Sequence, residues 1–347
     1  MKTQDFSFNL PEGLIAQTPP AERGRSRLMV LDRASRSLSH RMAADLPEIL
    51  EGGALLVFND SKVRKARLYG ESKRSGVQVE FLLLQKLDAH TWRVMVQRSR
   101  RRRSGSRYVF PGGIEGEIRD AGGEFRLLRF DEPIDDAWLD VHGHIPLPPY
   151  IKRKDTPEDA SRYQTVYAAT PGSAAAPTAG LHFTRELLTR LEDRGIETAF
   201  LTLHVGLGTF LPVRTKDIED HRMHEETYVI PEETASRVGK AKAEGRKVIA
   251  VGTTCVRTLE SAWKDGGLSR GEGAASLFIY PGYTFKAVDG LFTNFHTPRS
   301  TLLMLAAAFA ESGGGASSGR DLILDSYACA VREGYRFFSY GDAMLIL

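Results

Sequence analysis

Five segments of the 347-residue chain end in small or hydrogen-bonding residues where a strand would hand over to a loop. LTLHVGLGTF supplies His204, Gly206 and Gly208, and VIAVGTTCVRT supplies Gly252, Thr253, Thr254 and Arg257. FIYPGYTF supplies Tyr280 and Gly282, LFTNFHTPRST supplies Asn294 and His296, and FFSYGDA supplies Tyr340 and Asp342. A sixth stretch, AAPTAGLHFT, sets His182 beside Thr178 and Gly180 among residues with almost no side chain. Imidazoles titrate near neutral pH and suit proton transfer. Amides and hydroxyls fix polar ligand groups, and glycines let backbone approach a ligand closely. A histidine in a loop is commonly bonded to a carbonyl, and His204 could simply be packed. The case for chemistry rests on five such endings at one notional rim.

Arg257 falls near a helix start, whose positive end would repel it, so it calls for an anionic partner such as a carboxylate or phosphate. An ordinary salt bridge is the competing reading. HRMHEE contains metal-like residues, but no second cluster at ligand spacing accompanies it, so no metal is expected. GLGTF lacks the lysine and length of a phosphate-binding loop, and no dinucleotide fingerprint occurs.

These residues need a scaffold, and beyond Tyr163 the pattern alternates strand and helix. Thr184 caps RELLTRLEDRG, whose Leu187, Leu188 and Leu191 share a face and which Gly195 ends. The strand ETAFLTLHVG follows, then a helix from Pro231 through Ala243, the strand KVIAVGTT and a helix from about Val256 to Lys264. SLFIYPG reads as a strand, Ser300 caps TLLMLAAAFA, and RDLILDSYACAVREG reads as the last long helix. RLMVLDR and ALLVFND read as buried strands near the start. This alternation predicts an α/β fold, barrel-like or an open mainly parallel sheet, with ligands at the carboxyl ends of its strands.

From about Ala66 to Phe130 the texture differs: five short β-type runs separated by glycine, aspartate and basic turns predict a small all-β barrel or sandwich. The expected division is therefore a discontinuous α/β domain, 1–65 and 146–347, with an inserted β-barrel domain, 66–145. IPLPPYI reads as the proline-stiffened return.

Composition sets outer limits. Hydrophobic residues are 41% and charged residues 26%, as in a soluble globular protein. No run of eighteen apolar residues predicts a membrane span, and the first twenty residues lack a signal-peptide core. Two cysteines, Cys255 and Cys329, make no disulfide framework and cannot supply a three-cysteine radical cluster, so a reducing cytoplasm is expected. The absence of a helical seam or long apolar strip points to a monomer. The net charge of +3 is concentrated in QRSRRRRSGSR, where Arg98, Arg100, Arg101, Arg102, Arg103 and Arg107 fall between two predicted strands. Such a run is either a solvated hairpin tip or a phosphate contact, and mutual repulsion favours nucleic acid.

The chain also resembles the S-adenosylmethionine:tRNA ribosyltransferase-isomerase family of the queuosine pathway, nearly end to end. The likeness is carried by FNLPEGLIAQTPPAERGRSRLMVLDR, LVFNDSKVRKARL, AAPTAGLHFT, LHVGLGTFLPV, MHEETY, VGTTCVRTLES, FIYPGYTFKAVDGLFTNFHTPRSTLLML and YRFFSYGDAMLI, in that order. Departures are local, such as Cys255 in place of a usual serine and the arginine run in place of a lysine- and proline-containing turn. The resemblance implies a large α/β domain with an inserted barrel. It also implies transfer and isomerisation of the ribosyl group of S-adenosylmethionine onto 7-aminomethyl-7-deazaguanine at the tRNA wobble position. S-adenosylmethionine would then be a cosubstrate, with no permanent cofactor. On that reaction His204 or His182 is expected as general base, and Glu226 or Asp342 against the sulfonium or amine. Thr253, Thr254 and Asn294 would bind ribose or amino-acid groups, and Arg257 the methionine carboxylate. A non-catalytic RNA-binding module and a conventional methyltransferase are the alternatives.

Overall fold

The strand Leu55–Asn59 is buried along its whole length, as are Val248–Val251, Gly290–Asn294 and Ala343–Ile346. Side chains alternate across a strand, so each delivers apolar groups to two cores. Leu55 and Val57 enter one core with Val256, Leu259, Leu303, Phe309 and Tyr327, while Leu56 and Phe58 enter the other with Phe183, Leu187, Leu191 and Phe292. The computed structural model describes residues 1–97, 99, 102–120, 125–206, 213–311 and 319–347.

These strands are the middle of a nine-stranded sheet. Its order is Gly271–Ala275, Glu226–Ile230, Glu197–Leu203, Leu55–Asn59, Val248–Val251, Gly290–Asn294, Ala343–Ile346, Arg27–Asp32 and Ser37–Met42. Helices Thr253–Ala262, Thr301–Glu311 and Gly319–Arg332 cover the first core, and Arg185–Asp193 covers the second. Thr184 caps this last helix, its Oγ1 accepting from the Leu187 amide at 3.1 Å.

A closed six-stranded antiparallel barrel is made by Arg67–Ser72, Gln78–Lys86, Thr91–Val96, Arg107–Val109, Glu115–Asp120 and Arg126–Phe130. Phe81, Trp92, Tyr108, Phe110 and Phe130 fill it. A Cβ at Gly70 or Gly116 would lie 2.8 Å from the Phe110 ring, so the barrel closes only because those positions lack one. At its foot Arg67 and His144 exchange backbone hydrogen bonds of 3.1 and 2.9 Å. The returning Ile145, Leu147 and Ile151 are buried with Val63, Tyr163 and Tyr340.

The α/β class and the barrel agree with expectation, while four details differ. The sheet is mixed: Ala343–Ile346 runs antiparallel to Gly290–Asn294, and Glu226–Ile230 and Gly271–Ala275 add antiparallel pairs at one side. Tyr340 and Asp342 therefore precede their strand, yet reach the same rim as Asn294 because that strand is reversed, Ala343 pairing with Asn294. SLFIYPG forms no strand; the edge strand is the preceding Gly271–Ala275, and Leu277, Phe278 and Tyr280 pack against the core from irregular backbone. Tyr280 and Gly282 accordingly end no strand. Finally, the strands that flank the arginine run form no hairpin, since Thr91–Val96 and Arg107–Val109 are not neighbours in the barrel. Arg98, Arg100 and Arg101 lie outside the described residues.

Candidate active site

Where Val248–Val251 and Gly290–Asn294 end, the chain encloses a cavity of 960 Å³. After the apolar VIAV strand the backbone turns at Gly252, whose φ of 98° a side chain would strain, and enters the helix that begins at Thr253. Thr253 and Thr254 line the cavity from that first turn. Thr178 lines it from a 3₁₀ turn spanning Thr178–His182, and Thr293, Asn294 and His296 from the neighbouring strand end. Tyr150 and Phe338 form an aromatic wall, their ring centroids 4.6 Å apart.

Polarity is graded from floor to mouth. Thr253, Thr254, Thr293, Asn294 and His296 are all buried, whereas Lys2, Arg214, Lys216 and Arg299, also lining the cavity, are exposed. Among the described residues that line it there is no aspartate or glutamate. The N-terminal segment reaches the mouth because Thr3 Oγ1 donates to the Thr215 carbonyl at 2.8 Å and Lys2 Nζ to Asp217 at 2.5 Å.

The floor is held by a buried polar chain. Asn294 Nδ2 donates to the Phe338 carbonyl at 3.1 Å and to His182 Nε2 at 3.0 Å, and His182 Nδ1 lies 2.7 Å from Ser26 Oγ. A carbonyl can only accept, so the Asn294 amide orientation is set, and His182 Nε2 must be the acceptor. His182 is thus neutral, with Nδ1–H donating to Ser26. Burial, aided by the charge of Arg23, lowers its pKa to about 3, in keeping with that tautomer. Phe338 adopts a left-handed φ of 72°, and its carbonyl is one end of this chain. His296 Nε2 lies 3.0 Å from Thr293 Oγ1, and burial lowers its pKa to about 3 as well.

Other expected residues stand apart from this cavity. His182 packs behind Asn294 and does not line it. His204 stacks its ring on Gly172, where a Cβ would come within 2.6 Å, and its buried Nδ1 has no partner among the described residues. Burial and Arg64 lower the His204 pKa, and Asp60 opposes them. Glu226 and Arg257 pair with each other: Arg257 Nη1 donates to Glu226 Oε2, and both are buried. Gly206 donates its amide to Glu226 Oε1 at 2.8 Å. Asp342 accepts the amides of Arg27 and Arg336 at 2.9 and 2.8 Å, a backbone staple whose pKa burial raises. Tyr340 donates to Asp159 at 2.8 Å, and Gly282 to Glu311 at 2.9 Å. Gly180 is a packing glycine, since a Cβ there would sit 2.0 Å from the Tyr167 hydroxyl. Gly208 lies outside the described residues. Of the arginine run, Arg103 and Arg107 are exposed, with Arg107 paired to Glu117 at 3.1 Å, and Arg102 is half-buried.

Sequence reasoning missed Ser26, Tyr150, Thr293, Phe338 and the basic mouth. Ser26 meets His182 across 156 positions, and no local pattern announces such a contact. Lys2 and Lys216 lie 214 positions apart and converge through the bridge between Lys2 and Asp217.

A family model described as queuosine biosynthesis protein matches residues 3–346. The chain is 54% identical over 356 residues to S-adenosylmethionine:tRNA ribosyltransferase-isomerase from Treponema denticola, covering 100% of each chain. It is 51% identical over 349 residues to the protein of that name from Carboxydothermus hydrogenoformans, again covering 100% of each. Among solved structures it is similar to the crystal structure of S-adenosylmethionine tRNA ribosyltransferase from Thermotoga maritima. That match has a TM-score of 0.55 and 37% identity, and covers 99% of this chain and 100% of the other.

Proposed function

The chain belongs to the queuosine biosynthesis protein family, and from that premise we propose the reaction it catalyses. It is an S-adenosylmethionine:tRNA ribosyltransferase-isomerase. It moves the ribosyl group of S-adenosylmethionine to the amine of 7-aminomethyl-7-deazaguanine at the tRNA wobble position, giving epoxyqueuosine in tRNA and releasing adenine and methionine. The observation that carries this assignment beyond the family is the graded cavity, with neutral hydrogen-bonding groups on its buried floor and four cations at its exposed mouth. A small cosubstrate fits the floor, and a polyanionic chain fits the mouth.

The reaction needs a base for the carbon-bound proton next to the sulfonium. It also needs support for adenine as it leaves and a neutral attacking amine. His182 has both ring nitrogens engaged and acts as a positioning residue. The base role passes to His296, the imidazole that lines the cavity; burial keeps it unprotonated at pH 7 but also weakens it as a base. No aspartate or glutamate lines the cavity among the described residues, so Glu226 and Asp342 are not placed against the sulfonium there. Thr253, Thr254 and Thr293 supply hydroxyls to the ribose and amino-acid groups. The barrel, 66–145, forms a second domain whose exposed arginines extend the tRNA contact. S-adenosylmethionine is consumed as substrate, and no permanent cofactor is required. Two unpaired cysteines suit the cytoplasm, where the chain acts as a monomer.

Adenine release, followed by chromatography, tests the assignment. Protein is mixed with S-adenosylmethionine and tRNA carrying 7-aminomethyl-7-deazaguanine, beside unmodified tRNA. Adenine and methionine should appear only with the modified tRNA. S-adenosylhomocysteine would make the protein a methyltransferase, and RNA binding without turnover would make it a binding module.

A further inference from the structure

Asn294 Oδ1 is buried and has no hydrogen-bond partner among the described residues, although the amide nitrogen of the same side chain is fully used. The residue is 3% exposed and lines the cavity. A buried acceptor left unmet costs stability, so a native site that keeps one commonly keeps it for a ligand. The amide cannot flip to relieve it, because the Phe338 carbonyl requires a donor and His182 Nε2 takes the second amide hydrogen. Ser26 locks that tautomer from behind, 2.7 Å from His182 Nδ1. The chain Ser26–His182–Asn294 therefore holds one fixed, unmet acceptor on a residue that lines the cavity.

Beside this acceptor stands the aromatic wall of Tyr150 and Phe338, and the Phe338 carbonyl is held by the same amide. An aromatic face with an acceptor at its edge recognises a flat heterocycle that carries an N–H donor. An ammonium group would be a poor match, since no carboxylate lines the cavity among the described residues. The acceptor also lies on the buried floor and not among the exposed cations of the mouth, so it meets the free cosubstrate before it meets a base borne on tRNA. We propose that Asn294 Oδ1 accepts from the exocyclic amine of the adenine of S-adenosylmethionine, with His182 and Ser26 as positioning residues, so that this chain selects adenine over hypoxanthine. This inference rests on the ribosyl-transfer reading given above.

The test compares S-adenosylmethionine with S-inosylmethionine, in which an oxo group replaces the amine and would face Asn294 Oδ1 acceptor to acceptor. The wild-type protein should prefer the adenosyl compound by about 100-fold or more in kcat/KM, because a site built around a hydrogen bond rejects the ligand lacking it. Asn294→Ala should reduce that preference to about 5-fold or less, with circular dichroism confirming its fold. Wild-type protein that uses both within a few-fold overturns the proposal, as does a folded Asn294→Ala that keeps the preference. A second arm needs no turnover: calorimetric binding of free adenine and free hypoxanthine to the wild type and to N294A. If S-adenosylmethionine is not turned over, the ribosyl-transfer reading fails and this arm decides alone. Tighter binding of adenine by the wild type only supports the acceptor, and equal binding of the two bases overturns it.

Discussion

Arg257 and Glu226 form an ion pair whose side chains are only 3% and 4% exposed. The remaining Arg257 donors reach the Ala275 and Leu277 carbonyls at 3.0 and 3.3 Å, and Glu226 also holds the Gly206 amide. The pair thereby ties the helix after Gly252 to the edge of the sheet and to the segment after Glu197–Leu203 that carries His204 and Gly206. Removing one partner strands a buried charge, which costs about 3–5 kcal/mol. Urea unfolding of Arg257→Ala, Glu226→Ala and the double variant should show large losses for each single change. The double change should lose clearly less than their sum. Additive losses would show that the two side chains do not depend on each other.

Acid should weaken the fold through its histidines. Burial places His182 and His296 at about 3, far below the 6.5 of a free imidazole. As pH falls through 6.5 the unfolded chain takes up protons that the folded chain refuses. The stabilisation is complete above 6.5 and is lost progressively towards 3. At pH 5 the linkage amounts to about 2 kcal/mol for each such histidine. Urea midpoints at pH 7.5 and pH 5 should therefore differ less in His182→Asn than in the wild type. An unchanged difference would rule out His182 as a buried neutral group.

The basic mouth should appear as salt dependence. Lys216 and Arg299 are exposed cations on the cavity rim. Each phosphate contact removed should lower the slope of log K against log salt by about 0.7–0.9 in tRNA binding. Lys216→Ala and Arg299→Ala are expected to do so, with little effect on S-adenosylmethionine binding alone. Slopes altered only by Arg103→Ala would move the RNA path from the cavity mouth to the barrel.

Proton abstraction should depend on His296. His296→Gln keeps a polar side chain on the floor but removes the imidazole, and kcat for adenine release should fall by about 10²–10⁴-fold. His182→Gln should act mainly on KM for S-adenosylmethionine, since it disturbs the aim of Asn294. Full kcat in H296Q would return the base role to His204.

What the sequence alone determined lies in local pattern and chain order. The apolar strands LLVFN and VIAV, the Thr184 cap, the Pro231 helix start and the barrel's run of short strands were legible because period and punctuation are local properties. So was the gathering of Thr253, Thr254, Asn294 and His296 around one cavity, since parallel strands deliver their ends to one rim. Tertiary structure decided everything that depends on partners distant in sequence. Arg257 met Glu226 in a buried ion pair, Asp342 stapled two backbone segments, and His182 turned towards Ser26. The reversal of the strand Ala343–Ile346 was equally hidden, because a strand buried on both faces carries no mark of its direction. A side chain's chemical type is written in the sequence, but its charge state and role follow from burial and neighbours, which only the folded chain supplies.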